Sequence, residues 1–210
     1  MSISNDSRTR IKAIFEPIAL AMGRAGLTPD ALTILGFGIT TAGAILIGLQ
    51  YWTLGGIVVF AGGVFDMFDG TLARATGKVS RLGAFMDSVF DRWGEAIVYL
   101  GIVAGGVVGD HERVPILGAA AMGAAFMVSY ARAKSEGLGF TPGTGMAAVG
   151  IMPREVRLVI LSIGLILTDG PGIKAIEFAL AIIAVGATIT VIQRILHVRA
   201  QASTTSIDPQ

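Results

Sequence analysis

The sequence predicts an all-α fold, a polytopic membrane protein of six transmembrane helices preceded by an interfacial amphipathic helix at the amino terminus. Three observations predict it. Hydrophobic residues make up 53 % of the 210-residue chain and charged residues 15 %, with a mean hydropathy of +0.72, so lipid rather than water is the solvent for much of the chain. The apolar residues collect into stretches near the roughly 20 residues that an α-helix needs to cross a bilayer. Polar or Gly/Pro clusters interrupt those stretches, as the turns of helical hairpins do. The same composition limits function. A formal net charge of +1 gives nucleic-acid binding no support, and the lack of cysteine excludes disulfides, zinc thiolate sites and a cysteine nucleophile.

Taken in order, residues 1–12 are polar and charged, without the apolar core and small-residue cleavage site of a removable signal peptide. Residues 10–24 set Ile11, Ile14, Phe15, Ile18, Leu20 and Met22 among basic residues. That is the pattern of a helix lying on a membrane surface, a mobile basic arm being the alternative. Leu27-Thr28-Pro29-Asp30 reads as a helix start: Thr28 can cap, Pro29 suits the first turn, and Asp30 favours the positive end of the helix. Six spans follow, at 31–49, 54–74, 83–108, 114–133, 154–168 and 173–196. Between them lie the interfacial aromatics Tyr51 and Trp52, a polar loop at 77–81, a charged loop at 110–113 and a breaker cluster at 169–172. The fifth span is the shortest, and it needs 153–157 or 146–152 to complete a crossing. The domain organisation is therefore an amino-terminal cytoplasmic segment at 1–27, a six-helix domain at 28–199 and a tail at 200–210. An even number of spans puts both termini on one side. With the amino terminus in the cytoplasm, only Arg113 and Lys174 of the 16 Lys and Arg face outward, so the positive-inside rule makes both termini cytoplasmic.

The functional signal is a set of carboxylates inside the apolar runs. An Asp at the centre of a transmembrane helix costs roughly 2.5–3.5 kcal/mol on insertion scales, which makes it a functional-site hypothesis by default. Asp66 and Asp69 are three apart, hence on one face of the second span, and Asp87 and Asp91 are four apart, hence on one face of the third. The two spans form a hairpin around the 77–81 loop. At ~1.5 Å per residue, all four acids fall within the same cytoplasmic third of the bilayer. Four mutually repelling carboxylates need cationic compensation beyond what Arg74 and Arg92 supply, and metal ions are the simplest answer. Oxygen-only ligation suggests Mg²⁺ or Mn²⁺, and paired metals commonly stabilise the attacking and leaving oxygens of a displacement at phosphorus. Gly70, Ala73 and Gly83 sit beside the acids on the same helices. Singly such residues serve helix packing, but together they leave room for a ligand to approach the backbone.

The arrangement Asp66-x-x-Asp69-Gly70-x-x-Ala73-Arg74, an eight-residue spacer, then Gly83-x-x-x-Asp87-x-x-x-Asp91 resembles the complete signature of the CDP-alcohol phosphotransferase family. The resemblance implies a six-helix enzyme with a cytoplasm-facing site and a homodimeric assembly. It implies that the enzyme moves a phosphatidyl-type group from a CDP-linked lipid to an alcohol and releases CMP. It further implies that Asp66, Asp69 and Asp87 bind two metal ions, and that Asp91 joins them and serves as the catalytic base. By the same resemblance Asp66, Gly70, Ala73, Arg74 and Gly83 line the CDP-lipid site, with Pro29 and Asp30 beside them and Arg74 on the diphosphate. Glu95, one turn beyond Asp91, is read as orienting Arg92 or a basic acceptor-site residue, or as one half of a buried ion pair.

The acceptor is suggested by cations. Arg132 and Lys134 end the fourth span, Arg154 and Arg157 begin the fifth, and Arg194 closes the sixth. The positive-inside rule alone predicts cations there. A phosphate on the acceptor would explain their number, because Arg and Lys give charge-assisted hydrogen bonds to phosphoryl oxygens. The segments Ser129-Tyr130 with the following Arg/Lys/Glu pattern, Pro153-Arg154-Glu155-Val156-Arg157-Leu158, and Gln193-Arg194 look like the acceptor region of family members that use inositol 1-phosphate. That likeness implies that Lys134, Arg154 and Arg194, with Arg132 and Arg157, bind the acceptor phosphate. Glycerol 3-phosphate is the rival acceptor. A divalent-cation transporter would instead spread its carboxylates across the membrane or repeat them in an inverted half. Gly70 to Lys78 is not a phosphate-binding P-loop, since Val79 stands where Ser or Thr is required. Gly101-Ile102-Val103-Ala104-Gly105 is a GxxxG that serves either packing within the bundle or a dimer face.

Overall fold

The computed structural model describes residues 5–140, 145–169 and 174–205. Every regular element in it is helical: α1 (Asn5–Arg24), α2 (Pro29–Gly48), α3 (Trp52–Ala75), α4 (Arg81–Val108), α5 (Arg113–Gly137), α6 (Arg154–Thr168) and α7 (Lys174–Thr205), with one 3-10 turn at Met146–Ala148. Among the described residues, α2, α3, α5 and α7 are long and apolar enough to cross a membrane. The other two expected spans fall short for different reasons. α4 is 28 residues long but carries Asp87, Asp91, Arg92 and Glu95 within its first 15 residues. α6 has only 15 residues, about 22 Å at ~1.5 Å per residue, against a hydrocarbon core of ~30 Å.

Local chemistry sets the helix ends that matter for the site. The Thr28 hydroxyl accepts from the Ala31 N–H at 3.2 Å, and Pro29 and Asp30 occupy the first turn of α2. The Ser80 hydroxyl caps α4 in the same way, accepting from the Gly83 N–H at 2.9 Å. Gly77 closes the end of α3 at φ +67°, a left-handed conformation that glycine adopts without a Cβ penalty. α7 runs on to Thr205, past the expected end of its apolar stretch at Leu196. A helix can continue in water once its first turns are held in place.

Antiparallel neighbours bring the amino ends of α2, α4 and α6 together with the carboxyl ends of α3, α5 and α7. The main apolar core, which includes Ile47, Trp52, Tyr99, Ile102, Leu165 and Leu180, fills the bundle away from the carboxylates. Small residues let the backbones close up there. A Cβ at Gly101 would stand 2.3 Å from the Ala44 carbonyl oxygen, and one at Gly105 would stand 2.5 Å from that of Ile47. The GxxxG of α4 is therefore spent on α2 and is not a dimer face. At the other end α1 lies on the last turns of α3. Ala19, Leu32 and Leu72 form a small buried cluster with Met22, Leu27, Phe65 and Phe68 around it, and the Phe15 and Phe68 rings are 5.1 Å apart.

Candidate active site

Three of the four aspartates meet. Carboxylate oxygens of Asp66, Asp69 and Asp87 lie within 4.8 Å of one another. Two residues of α2 lie against the acidic face of α3. Gly36 faces Asp66, where a Cβ would sit in ordinary contact, 3.6 Å from the Asp66 backbone. Thr33 then donates its hydroxyl hydrogen to Asp69 Oδ2 at 2.6 Å, and both residues are buried. The second oxygen, Asp69 Oδ1, accepts from the Gly70 N–H. An all-oxygen, triply anionic donor set spread over two helices fits a hard divalent cation such as Mg²⁺ or Mn²⁺.

Asp91 lies outside this trio, one turn further along α4 from Asp87, and is joined to it by an arginine. Arg154, the first residue of α6, places Nη1 2.7 Å from Asp91 Oδ1 and 3.1 Å from Asp66 Oδ2. Arg92 holds the other oxygen of Asp91 at 3.0 Å and also donates to the Ser129 hydroxyl of α5. The cationic compensation expected from metal beyond Arg74 and Arg92 therefore comes in part from Arg154, which crosses from α6 to both acid-bearing helices. Below this pair a narrow cleft runs between α2, α3, α4 and α6. Asp66, Asp91 and Arg154 stand at its polar end, and Phe37, Phe90 and Leu158 are among its apolar walls.

The residues expected around the CDP-lipid lie at the same end of the bundle. Arg74 folds back over Gly70, where a Cβ would meet its Nη1 at 3.1 Å, and it is exposed. Ala73 is half-buried one turn along from Asp69. Asp30 Oδ1 would be 3.9 Å from a Cβ at Gly83, so the start of α2 faces the start of α4, with Pro29 beside Asp30 in the first turn of α2.

The five cations expected to meet the acceptor differ in burial and in their resting partners. Lys134 is exposed in the last turn of α5, and Arg132 is exposed and pairs with Glu136 at 2.9 Å. Arg154 holds the carboxylates as described. Arg194 is only 4 % exposed. It donates through Nε to the Val149 carbonyl at 3.0 Å and through Nη1 to that of Val128, which leaves three of its five N–H donors for another partner. Arg157 departs from its expected place at the mouth. It is 1 % exposed and grips Glu95 through Nε at 2.7 Å and Nη2 at 2.8 Å, while Nη1 donates to the Met152 carbonyl at 3.0 Å. Of the readings open for Glu95, the buried ion pair is the one found. The Arg157 guanidinium is thus committed to Glu95 and to the Met152 carbonyl, and leaving that carboxylate would cost a buried charge its partner.

These features define an integral membrane protein with a carboxylate and guanidinium centre at one end of a helical bundle. The chain belongs to the CDP-alcohol phosphatidyltransferase family, which it matches over residues 26–193. It is 35 % identical to the archaetidylinositol phosphate synthase of Pyrococcus horikoshii, over 91 % of this chain and 94 % of that one. It is 33 % identical to the phosphatidylinositol phosphate synthase of Mycobacteroides abscessus, over 92 % of this chain and 87 % of that one. Its fold is similar to the crystal structure of Mycobacterium tuberculosis phosphatidylinositol phosphate synthase with CDP-DAG bound, with a TM-score of 0.78, 32 % identity and coverage of 89 % of this chain and 94 % of that chain. A second structure of that enzyme, in complex with manganese and citrate, gives a TM-score of 0.77 at 32 % identity and covers 88 % of each chain.

Proposed function

We propose that this enzyme transfers a phosphatidyl-type group from a CDP-linked lipid to a hydroxyl of inositol 1-phosphate and releases CMP. The observation that carries the reading is the meeting of Asp66, Asp69 and Asp87 beside Asp91, with Arg154 between them. The named relatives support the inositol phosphate acceptor, and the CDP-DAG held by the mycobacterial enzyme supports the donor. Asp66, Asp69 and Asp87 would hold two divalent ions, Mg²⁺ or Mn²⁺. When bound, these ions supply charge neutralisation for the diphosphate and for the oxygens of an in-line displacement. Asp91 accepts the proton of the attacking hydroxyl as its oxygen bonds to the lipid-bearing phosphorus and the bond to CMP breaks. Arg74, Gly70, Ala73 and Gly83, with Pro29 and Asp30, line the CDP-lipid site. Arg154, Arg194, Lys134 and Arg132 receive the acceptor phosphate, and Arg157 acts behind them.

The same reading makes α2 to α7 six transmembrane helices with the site and both termini in the cytoplasm, and α1 an amphipathic helix at the interface. Positive-inside placement of Lys and Arg supports the orientation, and family resemblance supports a homodimer. The decisive assay is CMP release and labelled lipid formation in detergent. The acceptors are inositol 1-phosphate, glycerol 3-phosphate, inositol and serine, each with CDP-diacylglycerol and its ether-linked counterpart. Inositol 1-phosphate is expected to be used and Asp91→Asn to abolish turnover. Product from glycerol 3-phosphate but not from inositol 1-phosphate would overturn the acceptor.

A further inference from the structure

The peptide of Met152 is a joint on which three helices converge, two residues before Arg154. Its N–H donates to the Thr190 hydroxyl of α7 at 3.0 Å, and its carbonyl accepts from Arg157 Nη1 of α6 at 3.0 Å. Arg157 in turn grips Glu95 of α4, one turn from Asp91. Thr190 is fully buried and gives its own hydroxyl hydrogen to the Gly186 carbonyl at 2.9 Å, so its oxygen can act toward Met152 only as an acceptor. The chain before Met152 lies flat on the same residue. Gly150 has φ +115°, and a Cβ there would come 2.2 Å from Thr190 Cγ2.

We infer that Thr190, together with the Glu95–Arg157 pair, positions Arg154 by clamping the Met152 peptide, so that its guanidinium is delivered from α6 to the gap between Asp66 and Asp91. Neither Thr190 nor Gly150 touches the acidic centre. They fix the root of the side chain that does to α7, and the Glu95–Arg157 pair ties it to α4, the helix that carries Asp91. A guanidinium shared between two carboxylates tolerates little displacement, and losing the clamp lets the start of α6 drift away from α7. The inference rests on the reading of Arg154 as a ligand of the acceptor phosphate.

The test compares Thr190→Val, which keeps the shape but leaves the Met152 N–H without its acceptor, with Thr190→Ser, which keeps the oxygen. Thr190→Val is expected to raise the KM for inositol 1-phosphate on the order of tenfold, the scale of a sub-ångström misplacement, with the KM for CDP-diacylglycerol within about twofold. Thr190→Ser is expected to behave as the parent enzyme. If Thr190→Val does not fold, Thr190→Ala removes the oxygen without adding bulk and carries the same expectation. Equal changes in both KM values, or no change in that of the acceptor, would overturn the inference. Arg154→Gln is measured in parallel. If it leaves the acceptor KM unchanged, the reading of Arg154 itself fails. If it raises that KM while the Thr190 variants do not, only the clamp is wrong.

Discussion

Thr33→Val tests whether the hydroxyl on α2 is part of the metal centre. The substitution replaces an O–H by a methyl of nearly the same size in a residue 5 % exposed, facing an Asp69 that is 6 % exposed. The lost contact is a 2.6 Å hydrogen bond to a carboxylate oxygen, and such bonds to charged groups contribute about 1.5–3 kcal/mol. Two effects oppose each other. Without the donor, Asp69 has one more lone pair to offer a cation, but its carboxylate is free to rotate. Orientation should win, because a carboxylate has about four lone-pair sites and Thr33 occupies one of them, leaving others open to a metal. Loss of a partner that orients a metal ligand typically weakens binding by about 10–100-fold. Titration of the detergent-solubilised protein with Mn²⁺, read by electron paramagnetic resonance or calorimetry, should show a Kd raised by that factor. A Kd that is unchanged or lower would refute the argument, and with it the placing of Asp69 among the metal ligands.

Two further substitutions probe the frame around the site. Arg157→Met leaves the Glu95 carboxylate inside the bundle without its bidentate partner, and breaking a buried pair in this way costs about 3–5 kcal/mol. Thermal unfolding followed by tryptophan fluorescence should show a lowered midpoint, and Glu95→Leu combined with Arg157→Met should recover much of it. An unchanged midpoint in the single variant would mean that the pair is not formed. Gly101→Leu puts a side chain where even a Cβ would stand 2.3 Å from the Ala44 carbonyl oxygen, so α2 and α4 must separate. Poor extraction as a monodisperse protein is expected, whereas a well-behaved but monomeric protein would return the GxxxG to a dimer face.

How much of this was legible in the sequence follows from what each residue advertises. Asp66, Asp69, Asp87 and Asp91 stand out because charge in an apolar run is costly wherever the helices go, and their spacing puts each pair on one face without knowledge of the neighbours. The start of α6 at Arg154 was legible too, since Pro153 and a change in hydropathy mark it. Thr33 carried no such mark. A lone hydroxyl in an apolar helix is unremarkable until the opposite helix supplies an acid, and that pairing depends on the close α2–α3 approach that Gly43 and Gly62 allow, where a Cβ would stand 2.9 Å from the Val59 nitrogen and 3.0 Å from the Thr40 nitrogen. The end of α7, nine residues past its apolar stretch, was not marked for a related reason. Hydropathy tells where lipid ends, and the helix continues from Leu196 to Thr205 without it.

The basic residues show the limit most clearly. In sequence, Arg154 and Arg157 are two cations one turn apart at the same helix end, and the positive-inside rule treats them alike. In the bundle they part company because i and i+3 on α6 do not point quite the same way. One reaches the gap between Asp66 and Asp91 and remains 30 % exposed in its side chain, while the other turns inward to Glu95 and is 1 % exposed. Only the first can exchange a carboxylate for a phosphate at modest cost, because only it keeps contact with water. The second must keep its carboxylate or lose the fold. An arginine's chance of binding substrate is thus decided by whether its resting partner is one it can leave. By that criterion Arg154, Arg132 and Lys134 are the groups to which an acceptor phosphate would go, and Arg194, buried on the Val149 and Val128 carbonyls, could offer it only the N–H donors those leave free.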